Sequence, residues 1–415
     1  MLKKSFLSVS FSLFALAAIG CSNQTNPSHS ASEAIHPVAD VKTICTAVSQ
    51  RYAYFPARAD HWRETCRRAE KEALAMENSN ATLAVFERMI DDLYDPHVGL
   101  NTNNHNSPRL VPSGSDIWFE RLDGIYVASA VRPLSGAAKA GVQVGDQLLR
   151  FNGLAPEELA LTRMHAGVET ASDDRITWAI NAAVAGRRSE PRNIEISRAS
   201  SVLTFEMEDP NVPQSNDLIT SKTLSGNVGY IRLNNSLGNS DSVEVFDQAL
   251  LSLRNTKGLI IDLRETPSGG NTGVAEPIMG RFISQRMPYQ STVKLNGSRK
   301  DRKIKPTGSW TYDKPLLVLV GRWTGSMGEG MAIGFDGMSR AKVLGSKMAG
   351  LAGGTEDFKL PESGVSIKFP TYDLRHLNGT PRHDWKPKNP STADNGAQED
   401  KLLSAAILEF KMRGQ

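Results

Sequence analysis

The spacing of apolar positions changes along the chain, and each change predicts a different kind of element. Val41, Ile44, Val48 and Tyr52 recur at helical spacing, and Phe86, Met89, Ile90 and Leu93 share one face of a later helical stretch. Between about 115 and 205 the pattern becomes short strands punctuated by Gly and Pro. After Asp217 strands and helices alternate. Strands are predicted over 228–233, 258–263 and 316–320, with a helical stripe at Val243, Phe246, Ala249, Leu250 and Leu253. Such alternation predicts a layered α/β core with crossover connections, in which reactive groups gather at the carboxyl ends of strands. The predicted organisation is a helical domain over 39–112, a β domain inserted over 113–208 and an α/β domain over 215–415.

The first residues carry a separate signal. Lys3 and Lys4 precede an apolar run from Phe6 to Ile19, closed by Gly20 and Cys21. This reads as an export signal over 1–20, because the run is too short to span a bilayer core of roughly 30 Å. Ala18-Ile19-Gly20-Cys21 resembles a bacterial lipobox, which implies lipidation of Cys21 and a protein anchored to the membrane and facing the periplasm. Ser22 favours the outer membrane by resemblance to sorting rules. Residues 21–38, rich in Ser, Asn and His, read as a flexible tether.

Composition narrows the partners. The formal charge of +3 includes Lys3 and Lys4, so the processed chain is close to neutral and attracts no nucleic acid electrostatically. The basic run Arg299–Lys305 has no interleaved aromatics and reads as a solvated loop. With Cys21 assigned to lipid, Cys45 and Cys66 remain in a compartment that permits disulfides; spacing alone leaves open whether they pair. His105 and His165 lack partners at metal-ligand spacing, and the glycines at 350–354 lack the Lys-Ser/Thr ending of a phosphate loop. No metal or cofactor is implied.

Two motifs sit at predicted strand ends. Asp262-Leu263-Arg264-Glu265-Thr266-Pro267-Ser268-Gly269-Gly270 ends in paired glycines, which let backbone N–H groups face a cleft as an oxyanion site requires. Gly321-Arg322-Trp323-Thr324-Gly325-Ser326-Met327-Gly328-Glu329 places Ser326 where a strand turns into a helix. Read alone, Ser326 is either an N-cap or a nucleophile facing the helix dipole and the Met327 amide. Likewise Glu329, one turn on, is either a capping-box partner or an acid on the serine's face. His97 follows the helix-breaking Pro96 and falls on a loop at a domain edge.

The residues from Gly124 to Gly153, with Ser135-Gly136-Ala137-Ala138 and Gly145-Asp146, closely resemble a PDZ domain, which binds peptide tails as an added strand. The Asp95-Pro96-His97 loop, the PDZ-like insert, the Asp262-Leu263-Arg264 strand with Gly269-Gly270, and the Ser326–Glu329 helix start follow the order of the tail-specific (C-terminal processing) serine peptidase family. The resemblance implies a ClpP/crotonase-like layered core, Ser326 as nucleophile, and the N–H groups of Gly270 and Met327 as oxyanion hole. In the family's Ser/Lys branch a lysine stands where this chain has Leu351, and Lys347 comes about four residues early. The tricorn-like branch, which includes retinoid-binding modules, uses a histidine at the position of His97. It also uses a late carboxylate, for which Asp384 is the candidate, ahead of Glu329. The implied activity is cleavage of peptides or protein tails through an acyl-enzyme. A non-catalytic periplasmic binding lipoprotein on the same fold is the second reading, and the sequence leaves the oligomeric state open.

Overall fold

The computed structural model describes residues 37–76, 79–213, 215–388 and 400–413. The expected signal peptide, Cys21 and most of the tether lie outside the described residues. No described helix is long and apolar enough to cross a membrane.

Four helices come first: α1 (Pro37–Arg51), α2 (Phe55–Arg58), α3 (Trp62–Leu74) and α4 (Ser79–Asp91). Val41, Ile44, Val48, Tyr52, Phe86, Met89, Ile90 and Leu93 all pack into their core, as one apolar face per helix requires. That core is not self-contained, because Leu360, Ile367 and Phe369 from the far end of the chain complete it. The helices end in a loop leading to β1 (Gly99–Leu100), which pairs antiparallel with Ile367 and Lys368. Cys45 on α1 and Cys66 on α3 form a disulfide across a sequence separation of 21. Replacing both cysteines with alanine is expected to lower stability by about 3 kcal/mol through the larger entropy of the unfolded chain. A denaturant midpoint that falls, with a slope that rises as the freed unfolded chain exposes more surface, checks this.

An antiparallel sheet of β2 (Ile117–Leu122), β3 (Ile125–Val131), β4 (Gln147–Phe151), β5 (Arg192–Arg198) and β6 (Ser201–Met207) follows, in that order. Helices α5 (Gly136–Ala140), α6 (Pro156–Leu161) and α7 (Asp173–Ala185) contribute to its core through Ala137, Leu159 and Ile180. Ser135 caps α5 by accepting from Ala138 N, so the small residues of this segment serve a tight strand-to-helix turn.

The C-terminal half is α/β, as the alternation predicts. Its elements are β7 (Ile219–Leu224), β8 (Val228–Leu233), α8 (Ser242–Ser252), β9 (Gly258–Asp262), α9 (Thr272–Gly280), β10 (Met287–Val293), β11 (Arg299–Ile304), β12 (Leu316–Val320), α10 (Met327–Gly337), β13 (Lys342–Gly345), β14 (Gly354–Lys359), β15 (Ser366–Arg375) and α11 (Lys401–Arg413). The central sheet runs β13-β12-β9-β8-β7; the first four are parallel and β7 is antiparallel. β9 and β12 are buried at every residue, which explains their unbroken apolar runs. Helices α8, α9 and α10 share one core with this sheet, while α11 packs with Tyr230, Ile260 and Leu317 in another.

The basic run is regular structure and not the solvated loop that its charge suggests. Arg299–Ile304 is not a loop but an edge strand paired with β10. Arg299, Lys300, Asp301 and Lys303 are exposed along it, and charge on an edge discourages pairing with other chains.

Candidate active site

The parallel strands β9 and β12 deliver the two motif loops to one end of the sheet. At the end of β9, Asp262 accepts from Tyr230 Oη (2.8 Å) and Arg264 Nη2 (2.6 Å), and Arg264 also reaches Asp400 (2.7 Å). Burial would raise the Asp262 carboxyl, but Arg264 holds it below its ordinary value. The Asp262-Leu263-Arg264 motif is therefore an anchored ion pair beneath the site. Thr324 Oγ1 donates to Leu263 O at 2.8 Å, so the β12 loop is tied to the β9 loop. Gly269 has φ of 64°, and a β-carbon there would lie 2.4 Å from Ser326 Cβ. Both facts exclude a side chain. Gly270 follows, packed against the backbone of Leu237.

Ser326 occupies the sharp turn between β12 and α10 with φ 48° and ψ −108°. A non-glycine residue in this region costs roughly 1–3 kcal/mol and persists only where its surroundings over-determine it. Here the Ser326 N–H donates to Glu329 Oε2 at 2.8 Å, and Gly330 N–H donates to Ser326 O at 3.0 Å. Met327 begins α10, where the N–H has no acceptor within the helix.

His97 reaches this serine from 229 residues away in sequence: Nε2 lies 3.0 Å from Ser326 Oγ. The other ring nitrogen, Nδ1, donates to the Ala352 carbonyl at 2.6 Å. A carbonyl can only accept, so Nδ1 carries the proton and Nε2 presents its lone pair to the serine hydroxyl. The ring is buried. Burial, then the positive charge of Arg382, push its pKa down to about 4, so the imidazole is neutral near pH 7. Asp95 fixes the loop, accepting from His97 N (2.9 Å) and Tyr52 Oη (2.7 Å), and β1 pins the following residues to β15.

The acidic assignment requires correction. Asp384 does not meet His97; its side chain is 62% exposed and lies 3.7 Å from His383 Nε2. It sits on a short 3-10 turn, Arg382–Asp384, that presents a different residue inward. Buried Arg382 Nη2 donates to Leu351 O (2.7 Å) and Gly353 O (2.8 Å). Glu329 does not contact His97 either. Its buried carboxylate accepts three backbone N–H groups, from Ser326 at 2.8 Å, Gly350 at 2.9 Å and Leu351 at 3.1 Å. Burial nevertheless raises its pKa to about 7. The group facing His97 Nδ1 is a main-chain carbonyl, which no sequence motif announces. Lys347 lines a cleft with Pro96, Glu120, Arg322, Gly350 and Asp384 and makes no contact with Ser326 there, while Leu351, where the resemblance to the Ser/Lys branch would set a lysine, stands against Gly325. No group of three or more His, Cys, Asp or Glu arranged to hold a metal occurs among the described residues.

Comparison with known proteins bears on the same segments. Residues 227–387 match the model of Peptidase family S41. The S41 segment contains Asp262, Gly269, Gly270, Ser326, Glu329, Ala352 and Arg382, whereas His97 lies outside it. Curated homologues are carboxyl-terminal processing proteases. One from Synechocystis sp. is 25% identical over 286 residues, covering 67% of this chain and 59% of the relative. The carboxy-terminal processing protease CtpA of Bacillus subtilis is 25% identical over 258 residues, covering 62% and 50%. The chain thus spans between half and three-fifths of these two relatives. A solved structure of the photosystem II D1 C-terminal processing protease superposes with a TM-score of 0.54 at 17% identity, covering 89% of this chain and 95% of that one. It shares the mixed α/β fold.

Proposed function

We propose that this chain is a serine peptidase in which Ser326 is the nucleophile and His97 the general base. The observation that carries the reading is the 3.0 Å approach of a neutral, correctly protonated imidazole to a serine hydroxyl on a strained strand-to-helix turn. Ser326 attacks a peptide carbonyl as Nε2 takes its proton. The N–H groups of Met327, at the start of α10, and Gly270, which the resemblance assigns to the oxyanion hole, are the proposed donors to the developing oxyanion. Protonated His97 returns the proton to the leaving amine, and water then hydrolyses the acyl-enzyme. The histidine base, with leucine at position 351, favours the tricorn-like arrangement over a Ser/Lys pair.

Peptide or protein tails are the proposed substrates. A cleft of about 910 Å³ runs past Trp118, Glu120, Thr177, Pro96, Lys347 and Gly350, along the edge strand of the PDZ-like sheet and toward the neighbours of His97. Strand addition to β2 is the mode such an edge supports. At Phe119 that edge already exchanges hydrogen bonds with the Asn181 side chain, N–H to Oδ1 at 2.8 Å and Nδ2 to O at 2.9 Å. A tail paired there takes the place of Asn181. Export and lipid anchoring through Cys21 remain the placement that the N-terminal sequence supports, and the Cys45–Cys66 disulfide suits an oxidising compartment.

A fluorophosphonate probe tests the reading. Covalent labelling that maps to Ser326 is expected, and an inert wild-type protein that still binds peptide tails would favour the non-catalytic binding lipoprotein.

A further inference from the structure

Two buried, oppositely charged side chains grip one short loop that touches the candidate base. Glu329 takes the loop by its donors, accepting the N–H groups of Gly350 and Leu351. Arg382 takes it by its acceptors, donating from one nitrogen to the carbonyls of Leu351 and Gly353. Between these anchors lies Ala352, whose carbonyl receives the Nδ1 proton of His97. Glu329 also accepts the N–H of Ser326, so one carboxylate bonds both the nucleophile's backbone and the loop that orients the base.

Resting on the reading of Ser326 and His97 as nucleophile and base, we propose that Glu329 and Arg382 are positioning residues for catalysis. They fix the 350–353 loop from its two sides, so that the Ala352 carbonyl does for His97 what a carboxylate does in a Ser-His-acid triad.

A carbonyl holds the tautomer but carries no full charge to steady the imidazolium. Placement therefore matters more than it would with an acid, and apart from Leu351, which stands against Gly325, the loop of Gly350, Ala352 and Gly353 has little side chain of its own to secure that placement. The charge on Arg382 has a second consequence. It disfavours protonation of His97, as does Lys368, while Asp95 favours it. Removing the Arg382 charge must make His97 more basic; rehydration of a loosened site acts in the same direction, because burial is the larger cause of the depression, so the charge-keeping Arg382→Lys separates the two.

The test compares Glu329→Gln, Arg382→Met and Arg382→Lys in the full chain, using turnover of a peptide substrate and the rate of fluorophosphonate labelling across pH. In Glu329→Gln the side-chain amide turns an NH₂ toward at least one of the three N–H donors that the carboxylate satisfies. The substitution is therefore expected to lower kcat by roughly 10²-fold, as loss of a positioning contact does, with little change in KM. Arg382→Met is expected to lower kcat similarly and to raise the acid limb of kcat/KM by about one pH unit. Arg382→Lys keeps the charge but not the forked reach, so kcat falls while the acid limb stays at its wild-type pH. Arg382→Lys decides the point for that residue if Arg382→Met does not fold. Wild-type kcat in Glu329→Gln and Arg382→Lys would overturn the proposal. An unreactive wild-type protein would instead remove the serine-peptidase reading beneath it, so the two failures are distinguishable.

Discussion

Ser326→Ala is expected to abolish turnover, with a loss on the order of 10⁴- to 10⁶-fold in kcat, while the protein stays folded. The hydroxyl makes its hydrogen bond to His97, and the turn itself is held by main-chain contacts from Ser326 to Glu329 and Gly330 that alanine retains. Thermal unfolding close to wild type, together with loss of fluorophosphonate labelling, checks both halves. Full peptidase activity in this variant would sink the assignment.

His97→Asn is expected to cost a similar factor, roughly 10⁴-fold or more, because no other base stands at the serine hydroxyl among the described residues. In the wild type kcat/KM should fall on the acid side in two stages, a partial loss near pH 7 as Glu329, whose pKa is raised to about 7, takes up a proton and a full loss near pH 4 as His97 does. A single limb near pH 4 would mean that protonating Glu329 leaves the loop that orients His97 in place.

The same two groups predict an opposed pH dependence of stability. The folded pKa of His97 is depressed from 6.5 to about 4. As pH falls from 6.5 to 4 the unfolded chain takes up a proton that the folded chain does not, and stability drops by about 3 kcal/mol. The folded pKa of Glu329 is raised from 4.5 to about 7, so its contribution is fully present below 4.5 and is lost as pH rises through 7, with a similar magnitude. Between about 4.5 and 6.5 the two nearly cancel. His97→Asn should therefore become more stable on mild acidification and Glu329→Gln less stable, measurable as unfolding midpoints at pH 7 and pH 5.

Much of this is legible in the sequence. Helical spacing locates the buried faces of α1 and α4, and the apolar runs of β9 and β12 mark strands covered on both sides. The glycine pair and the serine at a strand-to-helix turn are recognisable because close backbone approach and a helix start demand particular residue types locally. Asp95 is also within reach of local reading, since an Asp two residues before His97 can accept its N–H. The basic run misleads because charge is compatible with both a loop and an edge strand, and only the pairing with β10 separates them.

Local sequence thus specifies the elements and the chemical types at hand: alternating strands and helices, a serine at a helix start, a histidine beside a proline. These follow from periodicity and from backbone preferences that act over a few residues. Which groups meet is a property of the folded chain alone. Folding sets Asp384 aside at the surface, turns Arg382 inward, engages Glu329 with main-chain amides, and gives His97 a carbonyl rather than an acid. The reason is physical: a backbone carbonyl has no identity in a sequence, and its usefulness depends on where packing of distant segments places it.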